Sequence, residues 1–159
     1  KNPALFYQST SPVRYMTFAE TQFIIAEATE RGWITGTAPA QDFYDAGILA
    51  AMDLWGADPT GYLAQPGVAF DGNNDIEKIL TQKWIGFWHS TVGFDGWTQY
   101  RRTGVPDFPI GDGNANGGKI ANRYLYPATE QTLNAASWSE ATARMGGTDD
   151  LNAKLWWQN

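Results

Sequence analysis

The sequence predicts an all-α fold: a helical hairpin followed by further helices and long ordered loops. Three observations carry this. Thr17-Phe18-Ala19-Glu20 has the form of a capping box, in which a hydroxyl and a carboxylate each satisfy a free backbone N–H at a helix start. Ala40, Phe43, Tyr44, Gly47, Ile48, Ala51 and Trp55 recur at helical spacing and make a single apolar stripe. Between these two stretches lies only a short turn at Thr35-Gly36-Thr37, so the two helices should pack antiparallel.

The first helix carries Ala19, Phe23, Ala26 and Ala28 and is expected to end near Gly32, a suitable residue just past a helix end. In the second, Gly47 among bulky neighbours suggests a close approach of backbones. Rings interlocking across a small residue also occur in tetratricopeptide-type hairpins, although no second copy follows at a fixed period. Residues 56–74, with Pro59, Gly61, Pro66, Gly67 and Gly72, read as a long ordered loop. A third helix follows with Asn74 or Asp75 as its cap and Ile76, Ile79, Leu80, Trp84, Phe87 and Trp88 on one side. Residues 93–102 are expected to form a short helix or helical turn bearing Trp97 and Tyr100, and 103–122 a second long loop. Arg123 to Tyr126 looks extended up to Pro127. Ser137-Trp138-Ser139-Glu140 reads as a second capping box, opening a last helix to about Arg144. The hairpin thus covers about 17–55, and a loop-rich helical remainder covers 56–159.

The bulk composition excludes several function classes. The chain has 159 residues, enough for one compact domain burying roughly 70% of its unfolded surface. Its 43% hydrophobic and 18% charged residues describe a globular chain. Eight Trp, seven Tyr and eight Phe imply either an aromatic-rich core or rings displayed to flat partners. A net charge of −6, with only 11 scattered basic residues, argues against nucleic acid as a partner. Cysteine is absent, which removes disulfides, thiolate nucleophiles and thiolate metal sites. No apolar run approaches the ~20 residues that cross a bilayer. The start at Lys1-Asn2-Pro3 reads as that of a mature, trimmed or fragmentary chain.

No motif assembles a catalytic set, a cofactor site or a metal site. Gly113 to Lys119 has phosphate-loop spacing, but Ile120 stands where the magnesium-binding hydroxyl belongs and no helix is predicted after it. Asp71, Asn73 and Asp75 alternate like calcium ligands, yet Ile76 replaces the required Gly and Gln82 the twelfth-position Glu, so a helix cap is expected. His89 is the only histidine, at the end of an aromatic helix where a dipole partner is the usual role. Glu20, Glu27 and Glu30 are spaced as an exposed helix face, which leaves a paired-carboxylate hydrolase of carbohydrates as the enzymatic alternative.

The candidate ligand-binding residues are Trp97, Tyr100, Arg101, Arg102 and Trp156. A guanidinium beside indole and phenol faces suits a carboxylate, a peptide or a sugar edge. The competing reading places Trp97 and Tyr100 in the core, with one Arg capping the helix or pairing an internal acid. Trp156 and Trp157 cannot both point the same way in extended chain, so one of them should be exposed unless the tail is strapped across the hairpin.

Several segments together resemble the C-terminal region of SusD/RagB-like proteins. They are Met16-Thr17-Phe18-Ala19-Glu20, Ala26-Glu27-Ala28, Arg31-Gly32-Trp33-Ile34, Tyr44 with Gly47-Ile48, and Gln82-Lys83-Trp84-Ile85. The order continues with Gly96-Trp97, Tyr100-Arg101-Arg102-Thr103-Gly104, Arg123 with Tyr126-Pro127, and Trp156-Trp157. Within that family the chain is most similar to the SusD-like nutrient-binding outer-membrane lipoproteins. The resemblance implies an α-α superhelix of tetratricopeptide-like hairpins, of which residues 1–159 would be the C-terminal portion. It also implies a lipid anchor in the outer membrane facing outwards, and non-catalytic binding of a glycan or peptide nutrient. The implied partners are a SusC-like TonB-dependent transporter and the remaining N-terminal part of the same protein, which should cover apolar surface on this portion. A purely structural module that docks a partner is the third reading. No binding residue carries over from the family.

Overall fold

The computed structural model describes residues 9–10, 14–87 and 94–158, and among these there are helices and no strand. The helices are α1 (Phe18–Glu30), α2 (Ala40–Trp55), α3 (Asp75–Gly86), α4 (Asp95–Thr103), α5 (Glu130–Leu133) and α6 (Ala135–Arg144), with a 3-10 turn at Tyr62–Ala64. Two compact units form: residues 1–100 with 104–106, and residues 101–103 with 107–159. His89 and Trp88 lie outside the described residues.

In the first unit, α1 starts where its capping box places it. Thr17 Oγ1 accepts a hydrogen bond from the Glu20 N–H at 3.0 Å, and the Thr17 backbone bonds back to the Glu20 carboxyl. The helix ends as expected at Gly32, whose φ of +70° only glycine adopts freely. There the Trp33 N–H reaches the Ala28 carbonyl and the Gly32 N–H the Thr29 carbonyl, both at 2.9 Å, which is a Schellman ending.

The tetratricopeptide-like hairpin is antiparallel. Residues 16–19 face Ala50 and Leu54, while Phe23 faces Gly47. Gly47 does allow a close approach, but of a ring and not of two backbones: a Cβ there would lie 2.9 Å from the Phe23 ring. Ala19, Phe23, Ala26, Tyr44, Ile48, Val68 and Ile79 form the core. The Tyr44 ring meets Phe23 edge-on at 6.3 Å, and its hydroxyl donates to the Val68 carbonyl at 2.7 Å. That bond helps order the 56–74 loop, seating Val68 in the core and satisfying its carbonyl there. Helix α3 then packs on α1 and, less extensively, on α2.

Two local expectations are corrected, and one, the cap of α3, is met in position only. Glu27 is not on an exposed face: it is 4% exposed and accepts from Arg31 Nε at 2.9 Å. A buried carboxylate persists only when paired, and Arg31 one turn later supplies the partner. At the start of α3, Asn74 is the cap residue without a side-chain cap bond, and Asp75 turns back to the loop. Its carboxylate accepts from the N–H groups of Asp71 and Gly72, at 3.3 and 2.7 Å. Finally, Ser137 does not begin the last helix; α6 already starts at Ala135, with Asn134 at its cap position and no side-chain cap bond. Two alanines, the best helix formers, extend it backwards, and Glu140 bonds forwards to Arg144 where a capping box needs it to reach back.

The second unit holds α5, α6, the 107–122 loop and the C-terminal segment. The run expected to look extended, Arg123 to Tyr126, is irregular chain fastened by the 149–151 segment. Buried Arg123 pairs with Asp149, donates to the Asp150 carbonyl at 3.2 Å and lies over the Tyr126 ring at 4.9 Å. Asp149 Oδ2 in turn accepts the Tyr126 N–H at 2.9 Å.

Candidate functional site

The candidate residues on α4 are positioned by contacts with neighbouring segments. In the first unit, a Cβ on Gly96 would come within 2.9 Å of Trp84 Nε1, so only glycine lets the helix lie this close to α3. Gln99 is buried, and its amide donates to the Leu80 carbonyl. Gly96 and Gln99 therefore mark the inner face of α4. Trp97 and Tyr100 are half-buried, Trp97 with its ring 6.1 Å from that of the exposed Phe94.

In the second unit, Arg101 Nη1 donates to the Asn122 carbonyl at 2.9 Å, and its guanidinium lies 5.0 Å over the Trp157 ring. Desolvation holds its pKa somewhat below the usual guanidinium range, and it stays charged at neutral pH. Gln158 closes this cluster, donating to Asn122 Oδ1 at 3.0 Å and to the Arg101 carbonyl at 3.4 Å. Arg102 is half-buried. With Trp157 drawn under Arg101, the neighbouring Trp156 projects outwards and is 95% exposed. Exposed Tyr124, also close enough to act electrostatically on Arg101, is a further ring displayed on this unit.

The structure thus brings Arg101 together with Trp157, Asn122 and Gln158, none of which is among the candidate binding residues read from the sequence. Trp157 was visible as one of two adjacent rings, but which one turns inwards depends on a guanidinium 56 positions earlier in the chain. Gln99 and Gly96 carry a weak signal in their spacing of three. Being polar or small, they escape a hydrophobic pattern.

The other motifs resolve into structural roles. The alternating acids before α3 hold a lysine: Lys78 Nζ bonds Asp71, Asp75 at 3.1 Å and the Ala69 carbonyl at 2.8 Å. That hydrogen bond to Lys78 holds the Asp71 carboxyl below its usual range. Residues 113–119 form turns with no helix after them: the Lys119 N–H returns to the Asn116 carbonyl at 3.3 Å. Among the described residues no group of three or more His, Cys, Asp or Glu could hold a metal ion, and no helix is long and apolar enough to cross a membrane.

Comparison with known proteins places this geometry in context. Residues 2–127 match the family model SusD-like_2, described as starch-binding and associating with the outer membrane. A SusD homologue from Bacteroides fragilis is 33% identical, with a TM-score of 0.79 over 95% of this chain and 36% of its own. A chitin-binding SusD homologue from Flavobacterium johnsoniae is 30% identical, with a TM-score of 0.72 over 87% of this chain and 35% of its own. A further homologue, from Bacteroides vulgatus, is 28% identical with a TM-score of 0.73, over 89% of this chain and 34% of its own. The chain spans about a third of the length of these solved relatives. No curated protein matches it.

Proposed function

The chain belongs to the SusD-like family, and we propose that it is the C-terminal portion of a receptor that binds an oligosaccharide nutrient without transforming it. The observation that carries this reading is the likeness, at 30% identity, to a chitin-binding homologue over 87% of this chain. The exposed Trp156 indole agrees with it, because sugar recognition uses aromatic faces stacked on the apolar side of a pyranose ring, with polar groups fixing orientation. The proposed ligand-binding residues are Trp97 and Tyr100 in the first unit and Arg101, Arg102 and Trp156 in the second. Trp156 is the primary contact, and Arg101 acts by holding Trp157 and so aiming Trp156 outwards.

The full-length protein would be lipid-anchored at the outer membrane, face outwards and deliver its ligand, a glycan or alternatively a peptide, to a SusC-like TonB-dependent transporter. Binding of this kind needs affinity for the ground state alone, so no catalytic residue is assigned.

The test is calorimetric titration of the full-length protein with chitin- and starch-derived oligosaccharides and short peptides, with NMR of the ligands over a day. Saturable binding without new anomeric signals supports the reading. Product signals, or a protein that binds nothing in the panel, would overturn it. Trp156→Ala should weaken glycan binding roughly tenfold, equivalent to about 1.4 kcal/mol. With its side chain 95% exposed, the same variant should shift folding stability by less than about 0.5 kcal/mol.

A further inference from the structure

Asn116 is the one asparagine in the sequence followed by glycine. Asparagine converts to aspartate when the next residue's backbone nitrogen attacks the side-chain carbonyl carbon. Glycine permits this best because no Cβ obstructs the approach, and Gly117, with φ +60°, sits in a turn conformation that suits glycine. Against this intrinsic reactivity stands an arrangement of amides in the second unit. Asn116 Nδ2 donates to Asn152 Oδ1 at 2.8 Å, and Asn152 Nδ2 donates back to Asn116 Oδ1 at 3.1 Å. The same Asn116 amide also donates to the Lys119 carbonyl at 3.2 Å, and the Asn116 N–H to Asn114 Oδ1 at 2.7 Å. Asn152 is itself held by Asp150, whose Oδ1 accepts from its N–H at 2.9 Å and from its Nδ2 at 3.3 Å. The reciprocal pair joins the 111–119 loop to the C-terminal segment that carries Trp156.

We propose that Asn116 is a self-modification site, restrained by its amide pair with Asn152, whose conversion detaches the 111–119 loop from the C-terminal segment. In the reaction the Gly117 backbone nitrogen loses its proton and bonds to Asn116 Cγ. The Cγ–Nδ2 bond breaks and ammonia leaves, giving a cyclic imide. Water then opens the imide at either carbonyl, giving aspartate or isoaspartate, with no other reactant needed. In the native loop the Asn116 side chain must first leave Asn152 and Lys119 before Cγ can turn to Gly117. After conversion a carboxylate faces Asn152 Oδ1 and the Lys119 carbonyl, both acceptors, and lies near Asp150. Both bonds donated by Asn116 Nδ2 are lost and a like charge is added, so only the bond from Asn152 Nδ2 can persist and the reciprocal pairing is not restored.

The experiment compares deamidation of the full-length protein in mildly alkaline buffer, native and urea-unfolded, by peptide mapping that separates the Asn116, aspartate and isoaspartate forms. Asn116 should convert before any other asparagine when unfolded. The native protein should convert more slowly by roughly thirty- to a hundredfold, as two or three neutral hydrogen bonds imply, and Asn152→Ala should recover most of the unfolded rate. Asn116→Asp, as a mimic, should raise amide exchange in 111–119 and 150–158 and leave α1–α3 as protected as before. Equal rates in Asn152→Ala and the parent protein, or unchanged exchange in Asn116→Asp, would overturn the proposal.

Discussion

Gly47→Ala tests the packing of the hairpin through the sign of its effect. A methyl at this position would lie 2.9 Å from Phe23 Cε1 and 3.0 Å from Cδ1 and Cζ. Carbon atoms ordinarily meet at about 3.5–4.0 Å, so the ring must retreat by roughly 0.5–1 Å. Its retreat is limited. Phe23 is 1% exposed, the Tyr44 ring meets it edge-on, and its Cε2 edge lies against Gly86. Some relief comes from a cavity of about 210 Å³ beside it, lined by Ile48, Met52, Trp55 and Ile85 among others. Overpacking costs about 1–3 kcal/mol, and the cavity places this case near 2. Replacing a mid-helix glycine by alanine returns about 1 kcal/mol of helix propensity. The net expectation is destabilisation by about 1 kcal/mol, measured by urea unfolding followed through tryptophan fluorescence. In a Phe23→Leu background the clash is gone, and the same substitution should stabilise by about 1 kcal/mol. If Gly47→Ala stabilises the parent protein, the ring does not sit on Gly47 and the account of the hairpin is wrong.

Further predictions rest on single contacts. Tyr44→Phe leaves the buried Val68 carbonyl without its 2.7 Å donor and should cost about 1–3 kcal/mol in the same unfolding assay. Thr17→Ala removes a cap bond and should cost about 1 kcal/mol, whereas Ser137→Ala, inside α6, should change stability by no more than about 0.5 kcal/mol. Equal losses would restore the capping box that the structure dissolves. Burial, partly countered by Lys83, raises the Glu20 pKa above its ordinary 4.5, so between 4.5 and the folded value the folded state holds a proton that the unfolded state has released. Stability from this group is therefore present below 4.5 and lost as pH rises through the folded value. Glu20→Gln, which can still accept the Thr17 backbone bond, should be more stable than the parent at neutral pH, and the difference should fade on acidification. A difference that grows on acidification would contradict the sign.

What the sequence determined by itself is the part encoded locally. Helices α1 and α2, the capping box at Thr17, the Schellman ending at Gly32 and the apolar stripe from Ala40 to Trp55 depend on residues within a turn or two of each other, and periodicity reads them directly. Family membership was legible for a similar reason, since many short segments recur in the right order. Only the tertiary structure decided which polar groups lie inside. Gln99 is buried because the Leu80 carbonyl receives its amide, and Arg123 because Asp149 and Asp150 wait 26 and 27 positions away; Glu27, paired with Arg31 one turn on, is the local exception. The outward turn of Trp156 was settled in the same way, by the guanidinium that draws Trp157 inwards. A local pattern encodes the affinity of a segment for an apolar environment. The burial of a charge or an amide is decided by whether a complementary partner arrives from elsewhere in the chain, and no window of neighbouring residues contains that information.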